Sequence, residues 1–165
     1  MTMSTDTETG HPPMRRKDRA ITNPAAIERI LRRADVCRVG MIADGEPYVV
    51  PLNFGYRDGK VYFHSFSSGR KIDAIRANPR VCFEVDIDHR LITGEIACDW
   101  TFDYTSVIGF GHARVLEDPD EQLAGLMVIM NHLGDQEPIF RESDVERVEV
   151  VEIEFERLTG KQSLH

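Results

Sequence analysis

Two Asp-Gly dipeptides constrain the fold of this 165-residue chain more than any other feature. Asp44-Gly45 and Asp58-Gly59 each separate two apolar-rich stretches, and Asp-Gly is among the strongest signals for a two-residue β-hairpin turn. Residues 46–57, between the two turns, alternate in polarity as a half-buried strand does. The sequence therefore predicts an antiparallel meander of strands over 36–43, 46–57 and 60–64.

Pro51 interrupts the middle strand of this meander. Proline has no N–H group to donate to a β-ladder, so the strand is predicted either to lie at a sheet edge or to bulge at this residue. Backbone groups released from a ladder at such a place can face a ligand.

The rest of the chain adds three strands and three helices. Further strands are predicted over 80–86, 105–117 and 148–158, and residues 88–99 are predicted to be a loop with some extended structure. Helices are predicted to begin at Asn23, near Gly69 and at Asp118, because cap residues precede apolar positions with helical spacing. Strand-dense chains of this size tend to close into barrels, which removes exposed edges. The prediction is a mainly β, six-stranded antiparallel barrel with short helices.

The domain boundaries follow from polarity and periodicity. Residues 1–14 are polar and have no periodic pattern, so they are predicted to be a disordered tail. Residues 15–160 are predicted to form one domain, and residues 161–165 a short C-terminal tail. Within the long strand over 105–117, Gly109 and Gly111 share one face, which predicts close approach of another backbone or a ligand.

Composition excludes several classes of function. A net charge of −8 without a basic run argues against a nucleic-acid partner. No apolar window has the length of a membrane span or a signal peptide, so we expect no membrane partner and a cytoplasmic location. The six histidines and three cysteines show no metal-ligand spacing, which predicts no metal site. Cys37 and Cys82 fall in apolar strand patterns and are predicted to be buried thiols.

One stretch carries a chemical signal. Residues 61–73 read Val-Tyr-Phe-His-Ser-Phe-Ser-Ser-Gly-Arg-Lys-Ile-Asp, which indicates a strand, a hydroxyl- and glycine-rich turn, and a helix with Arg70 and Lys71 in its first turn. Helix N–H groups, the helix dipole and two cations can together hold a phosphate. A capped surface helix with solvated cations is the alternative interpretation, and the spacing leaves it open.

Several motifs in their order along the chain resemble a known family. The chain is similar to the pyridoxamine 5′-phosphate oxidase-like split-barrel flavoproteins over residues 14–160, and most similar to their 5-nitroimidazole-resistance branch. The resemblance implies a split barrel of the FMN-binding type. It depends on residues 45–56, 61–65, 69–73 (Gly-Arg-Lys-Ile-Asp), 78–83 (Asn-Pro-Arg-Val-Cys-Phe) and 104–111.

The resemblance also implies a site. In such proteins the barrel is a homodimer with FMN in a groove between the subunits. By this resemblance Arg70 and Lys71 hold the phosphate, and His64 and Ser65 flank the flavin. The other implied cofactor contacts are Val50, Pro51, Leu52 and Asn53, which lie along the isoalloxazine ring, and Ser106 on the long strand.

The implied activity is that of an FMN-dependent oxidoreductase, with His64 as the catalytic residue. A reduced nicotinamide would be a transient donor, and a nitroaromatic or related small molecule would be the acceptor. Residues 157–160 read Arg-Leu-Thr-Gly and lack the proline of the substrate-holding segment of vitamin B6 oxidases, which argues against that reaction. Two alternatives stay open: a non-enzymatic flavin- or haem-binding protein, and a structural role for His64.

Overall fold

The computed structural model of the chain describes residues 14–165. The tail predicted over residues 1–14 lies outside the described residues, apart from Met14, and the predicted domain boundaries stay predictions. Eight strands and four helices form. The strands are β1 (Ala20–Ile21), β2 (Val36–Ala43), β3 (Glu46–Asn53), β4 (Gly55–Arg57), β5 (Lys60–Phe66), β6 (Arg80–Ile92), β7 (Thr101–Val115) and β8 (Val148–Ser163). The helices are α1 (Pro24–Arg33), α2 (Arg70–Ala77), α3 (Pro119–His132) and α4 (Glu142–Val145), with short 3-10 turns at Lys17–Arg19 and Ala97–Asp99.

All pairs of strands in the sheet are antiparallel, in the order β3-β2-β6-β7-β8-β5-β4, and β1 adds to β8. The two edge strands of this path, β3 and β4, are consecutive in the chain and separated only by Phe54. A chain that passes from one edge of a sheet to the other in a single residue requires the sheet to curl on itself. The mainly β, split-barrel prediction is therefore confirmed. Eight strands form instead of six, the extra ones being the short β1 and β4.

Both predicted hairpin turns are present, but the single strand predicted between them is wrong, because residues 46–57 form two strands. Asp44-Gly45 and Asp58-Gly59 all have positive φ, as a tight hairpin turn with Asp-Gly at its centre requires. The predicted strand over 46–57 divides at Phe54, which is fully buried. Its first part pairs only with β2, at the sheet edge that Pro51 predicts, and its last three residues pair with β5.

Other boundaries differ because long-range pairing extends the strands. The loop predicted over 88–99 is partly strand, because β6 continues to Ile92 past an irregularity at Asp88, where φ is 61°. The last strand continues beyond its predicted end at Leu158 to Ser163, and its final residues pair with β1 and β7. The predicted N-caps are confirmed, since the side chains of Asn23 and Asp118 accept hydrogen bonds from the first turns of α1 and α3.

The close approach predicted at two glycines is made by the chain itself. A Cβ atom at Gly109 would lie 2.7 Å from Phe155 Cδ1, and one at Gly111 would collide with the backbone oxygen of Glu154. These glycines therefore fit β7 against β8 and provide no surface for another subunit. Of the two predicted buried thiols, Cys37 is buried and Cys82 is only half-buried.

The core fills the barrel and one neighbouring layer. The larger cluster includes Val39, Phe63, Phe83 and Ile153, which are fully buried. A smaller cluster around Leu116, Leu126, Ile129 and Val150 packs α3 onto the sheet. No helix within residues 14–165 is long and apolar enough to cross a membrane. The cytoplasmic location stays a prediction.

Candidate functional site

The predicted site residues other than Ser106 lie on β3, at the end of β5 and in the first turn of α2, around an opening between β3 and β5. The β4–β5 hairpin pairs Gly55 with Tyr62, and its ladder ends there because β3 turns away to pair with β2. Extending the same register by two residues would place Asn53 opposite His64. The barrel is thus split where the residues after Tyr62 on β5 face the end of β3.

The β3 side of this opening is an exposed edge. Val50 and Leu52 pack against the barrel core without being fully buried, whereas Pro51 and Asn53 are exposed. Because β3 has only β2 as a ladder partner, alternate residues between positions 50 and 53 direct their backbone polar groups away from the sheet. Such an edge offers N–H and C=O groups to the polar rim of a flat ligand.

The first turn of α2 closes one end of the opening. Gly69 precedes the helix with φ of 141°, in the range that favours glycine, and no side chain caps the helix. Lys71 Nζ donates a hydrogen bond of 2.7 Å to Ser65 Oγ on β5. Burial lowers the pKa of Lys71, so a nearby anion would stabilise its charged form.

Arg70 contacts the other side of the opening. Its guanidinium carbon lies 4.7 Å from the centre of the Tyr48 ring on β3, and Nη2 lies 3.5 Å from the carbonyl oxygen of Ala43. The two cations of α2 therefore reach toward different strands, Arg70 toward β3 and Lys71 toward β5. Tyr48 is a contact that the sequence analysis missed. Its place in the alternating pattern indicates only an inward face, and no local signal predicts that an arginine 22 positions later stacks on it.

His64 precedes Ser65 on β5 and has an unusual environment. Its Nδ1 atom is buried and has no hydrogen-bond partner within residues 14–165. Burial first, and then the charge of Lys71, lower the pKa of the imidazole from 6.5, so His64 is neutral at pH 7. A buried polar atom without a partner costs free energy, and in native structures such atoms mark functional positions or bound groups.

Ser106 is not brought to these residues within one chain. It lies nearly buried on β7, where it pairs with Asp86 on β6 and Lys161 on β8. His64 pairs with Val150 on β8, eleven positions before Lys161. At about 3.3 Å per residue, that separation is roughly 35 Å along the strand.

The residues at the opening fit a phosphorylated, flat ligand. Arg70, Lys71 and the uncapped start of α2 can bind an anion, and the edge of β3 can donate and accept hydrogen bonds to a polar ring. The unpartnered nitrogen of His64 can exchange one hydrogen bond with a group placed beside it.

Comparisons with known proteins place this geometry in a family. A candidate 5-nitroimidazole antibiotic resistance protein from Bacteroides thetaiotaomicron is 32% identical with a TM-score of 0.78, covering 87% of this chain and 86% of that one. An FAD-binding protein from Mesorhizobium loti is 26% identical with a TM-score of 0.64, covering 88% and 98%. The flavocytochrome Anf3 from Azotobacter vinelandii shares the fold at 21% identity, with a TM-score of 0.82 and coverage of 93% and 73%.

Two sequence comparisons add to the structural ones: a match to a curated protein and a match to a family model. An uncharacterized protein from Rhizobium meliloti (strain 1021) is 30% identical over 56 residues, which are 34% of this chain and 36% of that protein. The chain thus matches only about a third of the length of this curated relative. The family model described as pyridoxamine 5′-phosphate oxidase matches residues 23–162 and so includes every predicted site residue. The chain belongs to the pyridoxamine 5′-phosphate oxidase family.

Proposed function

We propose that this protein is a flavin-dependent oxidoreductase that holds FMN at the opening between β3 and β5. The observation that carries the proposal is the buried, unpartnered Nδ1 of His64 beside the Lys71 ammonium. A core histidine in an ordinary protein interior finds a hydrogen-bond partner, whereas Nδ1 of this one has none within residues 14–165.

The phosphate of FMN fits the first turn of α2. Arg70 and Lys71 supply charge-assisted donors, and the N–H groups after Gly69 add the positive end of the helix dipole. The dianionic phosphate would also offset the Lys71 charge that now acts on His64. The isoalloxazine ring would lie along residues 50–53, where the edge of β3 offers backbone donors and acceptors.

Bound FMN would supply two-electron transfer from a reduced nicotinamide to a small acceptor. The chain itself would orient the ring through β3 and hold the phosphate through α2. His64, neutral at pH 7, would hold a proton on one ring nitrogen and exchange a hydrogen bond at Nδ1 with the ligand. We extend the proposal to nitroaromatic acceptors because the similar protein from Bacteroides thetaiotaomicron is named for 5-nitroimidazole resistance.

We further propose that the working unit is a homodimer. The β8 partners of Ser106 and His64 lie eleven positions apart, so we expect both residues to contact one cofactor only if a second chain contributes Ser106. Ile42, Val49 and Ile108 are exposed apolar residues on β2, β3 and β7 and support such packing. Light scattering of the flavin-loaded protein should give twice the chain mass of 18.8 kDa, and a flavin-loaded monomer would contradict the shared site.

The test begins with the absorption spectrum of the purified protein. Two flavin bands support the proposal, whereas a haem Soret band, or no band after incubation with FMN, contradicts it. Titration of FMN and riboflavin at fixed salt then tests the phosphate contacts. Because charge-assisted hydrogen bonds contribute about 1.5–3 kcal/mol each, Arg70→Gln or Lys71→Gln should weaken FMN binding roughly ten- to a hundredfold.

Riboflavin, which has no phosphate, should bind the two variants about as well as the unchanged protein. Arg76→Gln, at the other end of α2 and paired with Glu149, is the matched control and should alter neither ligand. Equal losses for FMN and riboflavin in the Arg70 and Lys71 variants would show that these cations do not hold the phosphate.

A further inference from the structure

A second polar site lies on the face of the sheet that α3 covers. Tyr62 on β5, Glu152 on β8 and Arg114 on β7 are direct neighbours in a row across three strands. None of these residues belongs to the opening between β3 and β5, and the proposed flavin chemistry uses none of them.

Glu152 is the fixed centre of this row. It is nearly buried, and its carboxylate accepts hydrogen bonds from Tyr62 Oη at 2.9 Å and Arg114 Nη2 at 3.2 Å, with Lys60 Nζ at 3.1 Å. Burial by itself would raise the pKa of Glu152, but the contacts with Lys60, Tyr62 and Arg114 outweigh it and lower the pKa. Glu152 is therefore ionised at neutral pH.

A cleft of about 120 Å³ opens above this row, beneath the first half of α3. Two small residues of the helix lie here: Ala124 lines the cleft, and Gly125 allows α3 to approach the sheet closely, since an added Cβ would lie 2.7 Å from Val150 Cγ1. The lining residues are Arg57, Tyr62, Arg114, Leu116, Glu121, Ala124, Gly125 and Glu152.

The two guanidinium groups of this cleft differ in their partners. Arg114 contacts both glutamates, with Nη1 2.8 Å from Glu121 and Nη2 3.2 Å from Glu152. Arg57 is half exposed, and its ion pair is a long one of 3.9 Å to its neighbour Asp58, which is itself 88% exposed. Among Lys60, Arg114 and Arg57, Arg57 is therefore the cation with the longest and most exposed carboxylate contact.

We propose that this cleft binds a small monocarboxylate, with the carboxylate between the guanidinium groups of Arg57 and Arg114. A guanidinium presents donors in the fork geometry that a carboxylate accepts. One loosely paired guanidinium favours a monoanion, and a cleft of about 120 Å³ suits a ligand of about the size of acetate or propionate. The site is separate from the flavin opening and does not depend on it.

Acetate is the probe, followed by two-dimensional amide NMR of the purified protein. The amides of Tyr62, Arg114 and Gly125 should shift saturably, with a Kd of about 1–10 mM for so small a ligand. Acetamide, which has the same shape without the charge, should bind at least tenfold more weakly. Arg57→Gln should weaken acetate binding roughly tenfold or more, because it removes a charge-assisted contact.

Arg33→Gln, an exposed arginine paired with Asp88 away from this cleft, is the matched control and should leave acetate binding unchanged. Arg57→Lys should recover part of the affinity, since it restores the charge without the fork. Absence of saturable shifts at these amides, equal binding of acetamide, or unchanged binding in Arg57→Gln would each overturn the proposal. Chemical shifts elsewhere in the spectrum report whether each variant is folded.

Discussion

Tyr62 and His64 lie two residues apart on the same face of β5, yet one is fully paired and the other is not. Glu152 lies opposite Tyr62 on β8 and accepts a hydrogen bond of 2.9 Å from its hydroxyl. Val150 lies opposite His64 and has no polar side chain. The comparison shows that β8 determines which polar group of β5 has a hydrogen-bond partner and which has none within residues 14–165.

The difference has an energetic meaning. Around Glu152, donors from Lys60, Tyr62 and Arg114 converge on one buried carboxylate, so removing the carboxylate leaves several charges or dipoles without a partner. At His64 the polar atom is already without a partner, so replacing it by an apolar group removes a cost and no contact.

The largest expected effect is that of Glu152→Ala. Breaking a buried ion pair costs about 3–5 kcal/mol. Because Lys60 and Arg114 are partly exposed and can regain water, we expect a loss of about 2–3 kcal/mol in the free energy of unfolding. Urea unfolding followed by circular dichroism measures this as a lower midpoint at unchanged slope.

Glu154→Ala is the matched control for this prediction. Glu154 is exposed and lies two residues further along β8, so its replacement should change the stability by less than about 0.5 kcal/mol. Equal effects of the two substitutions would show that the Glu152 row contributes no more than any surface glutamate.

A smaller effect of opposite sign is expected from His64→Leu. Without flavin, the stability should stay unchanged or rise by up to about 1 kcal/mol, since a buried unsatisfied polar atom is removed. Turnover of a nitroaromatic acceptor by the flavin-loaded protein should fall, since the hydrogen bond at Nδ1 is lost. Thermal unfolding and steady-state kinetics measure the two quantities.

Tyr62→Phe, two residues away, provides the contrast. It removes one donor to Glu152 and should lower the stability by about 1 kcal/mol while leaving turnover unchanged. A loss of stability in His64→Leu as large as that in Tyr62→Phe would mean that His64 is as well paired as Tyr62, and the comparison would fail.

The smallest expected effect is a dependence of stability on pH. Because the pKa of His64 is lower in the folded than in the unfolded state, the unfolded chain takes up a proton first as the pH falls below 6.5. The His64 contribution is therefore fully present above pH 6.5 and is lost as the pH falls through the folded pKa. Imidazole NMR signals should give a His64 pKa below 6.5.

Lys71→Gln should raise the pKa of His64, because it removes the positive charge that lowers it. Bound FMN should raise the pKa as well, because its phosphate would offset that charge. The burial that is the first cause stays, so the recovery should be incomplete. A His64 pKa that does not respond to either change would place Lys71 too far away to act on it.

Local signals in the sequence predicted much of this fold. The Asp-Gly turns have positive φ, and the Asn23 and Asp118 side chains cap their helices, because both features depend on residues within a few positions of each other. Pro51 likewise predicted either an edge strand or a bulge, and the strand lies at an edge. The motifs around residues 45–56 and 69–73 indicated the family that the match over residues 23–162 confirms.

Other features depended on contacts between distant residues. The strand over 46–57 carries one continuous alternating pattern, and only the burial of Phe54 in the core and the close fit of Gly55 against α3 divide it between two edges. The stacking of Arg70 on Tyr48 and the distance of Ser106 from His64 likewise result from which strands pair.

The sequence by itself determined the turns, the helix starts, the edge strand and the family, because each is encoded within a short stretch. Only the tertiary structure decided that His64 faces Val150 without a partner while Tyr62 faces Glu152. The physical reason is register: a shift of two residues between β5 and β8 in one direction would place His64 opposite Glu152, and register is set by long-range packing that no short stretch of sequence contains.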